Sequence, residues 1–231
     1  MEKAKKDSAY RAGAKHITPE TRVLGVGSGS TIVYLVHYLR ENREKLHPDL
    51  VCIPTGFQSR QLLVENGFRV AELDEFPVID VAIDGADEVD ASLNVIKGGG
   101  AAHLREKVVA SAAKDFIIIA DYRKMSEQLG QQWKQGVPIE VIPFALSPVM
   151  ARLKEMGGAP TLRMAQRKAG PVVTDNGNFV VDVDFGLIAD PASLLARTKA
   201  LAGVVEVGLF CSMARIAYFG MADGSVQIRE A

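Results

Sequence analysis

The stretch "VIKGGGAAHLREKVVA", Val95 to Ala110, sets Lys97 ahead of Gly98, Gly99 and Gly100, with Glu106 beyond them where a helical pattern begins. Three consecutive glycines favour neither helix nor strand, but they remove side chains where a small molecule must reach the backbone. A helix N-terminus beside them supplies partial positive charge. A lysine in such a place can stabilise an anion, and a glutamate a turn into the helix can take up and return a proton. The plainer alternative makes Arg105, Glu106 and Lys107 a solvated helix face. His103, at a helical position, is expected at the surface or half-buried.

Three other loops carry compatible groups. In "IDGADEVD" (Ile83–Asp90), Asp84 and Asp87 flank Gly85 and Ala86 after an apolar run. Two carboxylates converging there can hold hydroxyls or shuttle protons, and an Asx-type turn would use the same residues. Asp84 follows the apolar run directly, which favours function for it; Glu88 and Asp90 are expected in solvent. "GVGSGST" (Gly25–Thr31) offers backbone amides, a following helix N-terminus and the hydroxyls of Ser28, Ser30 and Thr31, with Gly29 between them. That combination suits an anion, although a tight turn with an N-cap is the bland alternative. The Lys-Ser/Thr pair of a Walker A loop is missing, and Ser30 occupies the third glycine position of a dinucleotide fingerprint. In "ADYRKMSEQLG", Lys124 after another apolar run could bind phosphate or carboxylate, or be an ordinary surface lysine.

Composition narrows the partners. The 231 residues are 48% hydrophobic and 24% charged, with a formal net charge of -1. That near-neutral balance lacks the electrostatic footprint of a nucleic-acid binder. Lys3, Lys5 and Lys6 form the one basic cluster and, at helical spacing, read as a solvated face. "MEKAKKDSAY" has no apolar segment of a signal peptide, and "FIIIA" (Phe116–Ala120) is far too short to span a bilayer. Cys52 and Cys211, isolated in apolar contexts, read as reduced core thiols of a cytoplasmic protein. His16, His37, His47 and His103 show no ligand spacing, so no metal is expected.

The elements that must position these loops alternate. "RVLGVG", "LVCIP", "FRVAEL", "VIDVAID" and "FIIIAD" read as strands, with helices near 31–45, 59–66 and 102–114. Mostly continuous β-branched runs separated by helices predict a doubly wound, mostly parallel α/β sheet, with all four loops at its carboxyl strand ends. After "QQWKQG" the rhythm changes to "VPIEVIP", a helix with Ser147 as N-cap and Pro148 at its first turn, "TLRMA", a hairpin around "DNGN", a further helix and a final strand "VVEVGLF". This βαββαβ order predicts a smaller, ferredoxin-like α+β domain over 135–210, inserted near the C-terminus of a catalytic domain formed by 1–134 and 211–231. The tail "RIAYFGMADGSVQIRE" reads as a hairpin rejoining the first domain.

Taken in order, "GVGSGST", "DGADEVD", "KGGGAAHLREK", "VTDNGN" and "GVVEVGLF" closely resemble ribose-5-phosphate isomerases of the A type over nearly the whole chain. "VCIPT" and "QWKQGVPIEVIP" look like the eukaryotic branch. The resemblance implies interconversion of ribose 5-phosphate and ribulose 5-phosphate through an enediol(ate), in the non-oxidative pentose phosphate pathway, without metal or organic cofactor. It implies a homo-oligomer, expected as a dimer. Ser28, Gly29, Ser30 and Thr31 would bind substrate, as would Asp84, Gly85, Ala86 and Asp87, then Lys97, Gly98, Gly99 and Gly100, and Lys124. Glu106 matches the proton-transferring base, with Asp84, Lys97 and Asp87 in the catalytic set. Small departures are Ala101, Ser28 in place of Thr, and His103 where an apolar residue is common. A sugar-phosphate sensor would need a DNA-binding segment, and no basic helix-turn-helix is visible. A nucleotide-dependent oxidoreductase is disfavoured by the incomplete fingerprint.

Overall fold

The computed structural model describes residues 1–231. Helix α1 (Glu2–His16) precedes β1 (Val23–Val26), α2 (Ile32–Glu41), β2 (Val51–Pro54), α3 (Phe57–Glu65), β3 (Arg69–Val70) and β4 (Ile79–Asp84). Two short strands, β5 (Glu88–Val89) and β6 (Val95–Ile96), lead to α4 (His103–Ala112) and β7 (Ala113–Asp121). Then come β8 (Val137–Val141), α5 (Leu146–Glu155), β9 (Ala159–Leu162), β10 (Phe179–Asp184), α6 (Pro191–Lys199) and β11 (Val204–Val207). The chain closes with β12 (Leu209–Phe210), β13 (Ile216–Gly220) and β14 (Val226–Glu230).

The large sheet has the order β14-β13-β7-β4-β1-β2-β3 and is parallel except for the β13–β14 hairpin, so the tail rejoins it as expected. Its inner strands β1, β2, β4, β13 and the second half of β7 read as mostly apolar runs because both faces are covered, while the edge strands β3 and β14 are partly exposed. On one face Leu24, Ile83 and Ile119 meet Leu35 and Leu39 of α2 and Ala9 and Ala12 of α1. On the other, Ile79, Phe116 and Ile118 meet Val109 and Ala110 of α4. Full burial of each such Leu or Ile contributes about 1.5–3 kcal/mol. Helix α1 approaches closely because its buried face is Ala4, Ser8, Ala9, Ala12 and Gly13. A Cβ on Gly220 of β13 would fall 1.8 Å from the Ala4 carbonyl oxygen.

From β1 the chain runs outward through β2 and β3, then returns to the other side of β1 as β4. The connections after β1 and β4 therefore diverge and leave a crevice at the carboxyl ends, where doubly wound sheets bind ligands. The four-stranded antiparallel sheet, ordered β11-β8-β10-β9, shows the ferredoxin-like arrangement. Its core joins Ile139, Val181, Val149, Leu153 and Leu194.

Tertiary context overrides several local expectations. The "KGGG" loop does not follow a strand of the parallel sheet; β6 lies in a three-stranded antiparallel sheet, β12-β6-β5. "VVEVGLF" is two strands, because the chain changes sheets at Gly208, whose N–H donates to the Pro138 carbonyl at 2.7 Å. Only glycine fits there, since a Cβ would stand 2.2 Å from the Lys97 carbonyl oxygen. Ser147 does not cap α5: a 3-10 turn at Pro143–Ala145 runs straight into the helix, which starts at Leu146. Helix α2 ends at Glu41, where Asn42 Nδ2 donates back to the Tyr38 carbonyl. "FRVAEL" supplies only the two residues of β3, and the arm before β10 is held by isolated bridges such as Val173 with Phe179.

Glu88 and Asp90 are buried instead of solvated. Glu88 accepts the N–H groups of Gly130, Gln132 and Trp133, while Asp90 accepts those of Ser92 and Asn94. Amide donors compensate carboxylate burial at both positions. Cys52 is buried and Cys211 half-buried, both free thiols whose ionisation burial pushes up, to about 12 and about 11.

Candidate active site

The crevice beyond β1 and β4 opens as a cleft of about 460 Å³. The first wall is the β1–α2 loop. Gly27 lies against β4 so tightly that a Cβ would sit 1.8 Å from Asp84 Oδ1. Ser28 N–H donates to Asp84 Oδ1 at 3.1 Å, and Ser28 Oγ meets Thr55 Oγ1 at 2.9 Å. Gly29, at φ +104°, turns its N–H onto Gln58 Oε1 at 2.9 Å. The N–H groups of Ser30 and Thr31 have no acceptor within the protein and precede the first residue of α2, Ile32. An anion docked there would meet unpaired donors and a helix N-terminus together.

The floor is three buried charges. Asp84 ends β4, Lys97 follows β6, and Glu106 lies in the first turn of α4; their exposures are 2%, 3% and 5%. Lys97 Nζ stands 3.0 Å from Asp84 Oδ2 and 3.4 Å from Glu106 Oε2. Its hydrogen bond goes to the Gly85 carbonyl at 2.6 Å, leaving both of those carboxylate oxygens without a hydrogen-bond partner. One cation faces two carboxylates, so the cluster favours retaining a proton. Asp84 is lifted by burial and opposed by Lys97 and the amides of Gly85 and Ser28. Glu106 has no amide donor to its side chain; burial, then Asp84, push it up to about 8. Lys97 is penalised by burial, but Asp84 and Glu106 outweigh that and hold it protonated.

Asp87 accepts Gly99 N–H at 2.7 Å, tying the second loop to the glycine run. Gly98 adopts φ +106° and Ala101 φ +60°, so the chain reverses sharply before α4. Beneath the run, His103 is fully buried, not half-exposed, and neither ring nitrogen makes a well-formed hydrogen bond, though the Glu206 backbone lies near the ring. Burial drives its pKa down to about 3, so the ring is neutral.

Every expected loop reaches this cleft: Ser28 to Thr31, Gly85 to Asp87, Lys97 to Gly100, Glu106 and Lys124 line it, with Asp84 directly below. Other residues that line the cleft were not expected, among them Lys5, Gln58, Arg123 and Asp175. Lys5 of α1, read as part of a solvated face, is only 12% exposed at its side chain and turns inward. Arg123 is bound in bidentate fashion by Asp121, at 2.7 and 3.0 Å. Gln58 comes from α3, and Asp175 from the "DNGN" turn, where its Oδ2 accepts Phe57 N–H at 2.9 Å. Spacing in "MEKAKK" could mark a basic helical face, but nothing local says which lysine faces the cleft. No group of three or more His, Cys, Asp or Glu side chains is placed to hold a metal ion.

Residues 51–224 match the family model for ribose 5-phosphate isomerase A (phosphoriboisomerase A). A ribose-5-phosphate isomerase of Mycosarcoma maydis is 52% identical, across 100% of this chain and 82% of that protein. A solved D-ribose-5-phosphate isomerase in complex with phospho-erythronic acid is similar at a TM-score of 0.92 and 40% identity, over 98% of this chain and 97% of that one. The ribose 5-phosphate isomerase of Plasmodium falciparum gives a TM-score of 0.92 at 33% identity, over 100% of this chain and 99% of that one.

Proposed function

The chain belongs to the ribose 5-phosphate isomerase A family and interconverts ribose 5-phosphate and ribulose 5-phosphate, and from that premise we propose how its cleft residues divide the reaction. The observation that carries the division is the buried Lys97 between Asp84 and Glu106, beside a run of glycine backbone.

Glu106 is the base. It removes the C2 proton of the open-chain aldose; the electron pair forms the C1–C2 double bond and negative charge develops on O1. After a proton moves from O2 to O1, Glu106 returns its proton to C1 and the ketose results. A pKa near the working pH suits a group that must both take and give. Lys97 and the glycine amides stabilise the oxyanion, which is the large electrostatic contribution in such reactions. Asp84 assists ring opening or the transfer between the oxygens, and Asp87 positions hydroxyls. The phosphate occupies the Ser28, Gly29, Ser30 and Thr31 loop with Lys124 and Lys5 nearby. Phospho-erythronic acid, which a solved relative holds, carries a carboxylate that resembles the paired oxygens of the enediolate, so it should compete with substrate here.

Residues 1–134 with 211–231 form the catalytic α/β unit in this reading, and 135–210 the smaller one. A cytoplasmic homodimer belongs to the same proposal, supported by the family resemblance; no helix is long and apolar enough to cross a membrane. Light scattering at micromolar concentration tests the dimer. Incubation with ribose 5-phosphate and excess chelator tests the reaction. Ketose should form at an undiminished rate; a loss restored by a divalent metal would overturn the cofactor-free mechanism.

A further inference from the structure

Arg163 lies just past β9, in the four-stranded sheet, yet its Nη1 donates to the carbonyls of Gly98 and Gly99 at 2.9 and 3.0 Å. Asp182 of β10 holds the same guanidinium from behind through Nε at 2.8 Å and Nη2 at 2.5 Å. Both side chains are largely buried, at 15% and 16% exposure, so water competes little with the bonds.

A planar trans peptide points its C=O and its following N–H in opposite directions. With the Gly98 carbonyl turned to Arg163, Gly99 N–H faces away, and there Asp87 accepts it at 2.7 Å. With the Gly99 carbonyl turned the same way, Gly100 N–H also faces away from Arg163, on the cleft side that Gly100 lines. No group of the protein accepts that N–H. Three glycines cannot hold such an orientation by themselves, because their backbone is the least restricted of any residue.

We propose that Arg163, anchored by Asp182, is a positioning residue for the isomerisation: it aims the Gly100 amide at the developing oxyanion and makes the four-stranded sheet part of the active site. The inference rests on the isomerase reading above. Arginine is required because one nitrogen must reach two carbonyls while two others face a carboxylate, which a lysine ammonium cannot reproduce.

The test compares Arg163→Lys with wild type using ribose 5-phosphate, phospho-erythronic acid and inorganic phosphate. A misaimed oxyanion donor should lower kcat by about 10–10³-fold, within the range seen when such a donor is lost or displaced. KM should change by less than about threefold, because the phosphate loop is untouched. The inhibition constant for phospho-erythronic acid should rise, while that for inorganic phosphate stays put. Arg163→Ala should regain part of its kcat on adding methylguanidinium. If Arg163→Lys does not fold, Asp182→Asn, which leaves the guanidinium in place but unanchored, should show the same split at smaller size. Wild-type kcat in a folded Arg163→Lys, or equal weakening of both inhibitors, overturns the proposal. An inactive wild type would instead sink the isomerase reading.

Discussion

Lys97 Nζ lies 3.4 Å from Glu106 Oε2, both side chains buried, yet the two make no aligned hydrogen bond. The ammonium bonds to the Gly85 carbonyl instead. In the proposed mechanism, Lys97 thereby steadies the charge on Glu106 without locking it, and the carboxylate is left to exchange a proton with a ligand.

Removing the base tests that arrangement most directly. Glu106→Gln keeps size and shape but cannot accept a carbon-bound proton, so kcat should fall by about 10²–10⁴ with little change in KM. Isomerisation by wild type in D₂O should leave some deuterium on C1 of the ketose. Near-normal turnover by the variant would return Glu106 to an ordinary helix-face residue.

The pH profile follows from the raised carboxyl. Burial first, and Asp84 second, push Glu106 to about 8, so the free enzyme gains active base as pH rises to that value. kcat/KM should climb between pH 6 and about 8, above the second ionisation of a phosphate monoester at about 6. Asp84→Asn removes the neighbouring negative charge and should shift the acid limb to lower pH, whatever it does to the plateau. A limb unmoved in that variant would show that another group controls it.

Stability should carry the same signature with a definite sign. Between the ordinary carboxyl value of 4.5 and about 8, the folded protein retains a proton on Glu106 that the unfolded chain releases. Stability owed to this side chain is thus highest at low pH and is lost as pH rises through that window. Glu106→Gln abolishes the loss, so its Tm should gain on wild type between pH 5.5 and pH 8.5. A constant Tm difference across that range would contradict the raised pKa.

Lys5 gives a separate handle on the phosphate. A charge-assisted hydrogen bond is worth about 1.5–3 kcal/mol, so Lys5→Ala should raise KM about tenfold or more and reduce the effect of salt on KM, because one screenable contact is gone. Free ribose should be a very poor substrate for wild type, since remote binding energy orients the reacting carbons. Equal efficiency on ribose and ribose 5-phosphate would remove the phosphate assignment.

His103→Leu should stabilise the fold. The neutral ring is fully buried, neither nitrogen makes a well-formed hydrogen bond although the Glu206 backbone lies near it, and each unsatisfied buried polar group costs about 1–3 kcal/mol. Urea unfolding at neutral pH measures it; a lower midpoint for the leucine variant would mean that the imidazole is held by an interaction not accounted for.

The chemistry was legible in the sequence wherever it is local. Lys97, the glycines and Glu106 are close in sequence, Asp84 and Asp87 share one turn, and the apolar run announced β4, the strand that ends at Asp84, but not the short β6 before Lys97. What the sequence by itself determined is therefore the candidate set of charged residues and glycines, the layered α/β class and the ferredoxin-like order of the second sheet, since these rest on side-chain type and periodicity along the chain. Which groups share a volume was decided only by the tertiary structure. Lys5 turned from solvent to the cleft because small residues seat α1 against β13, and Glu88 went inside because three amides from 130–133 were folded onto it. Arg163 met Gly98 and Gly99 because the chain crosses between sheets at Gly208, whose carbonyl also fixes Lys97 N–H at 2.9 Å. Burial and long-range pairing depend on neighbours brought from elsewhere in the chain, and a single side chain's surroundings are not encoded in the residues beside it.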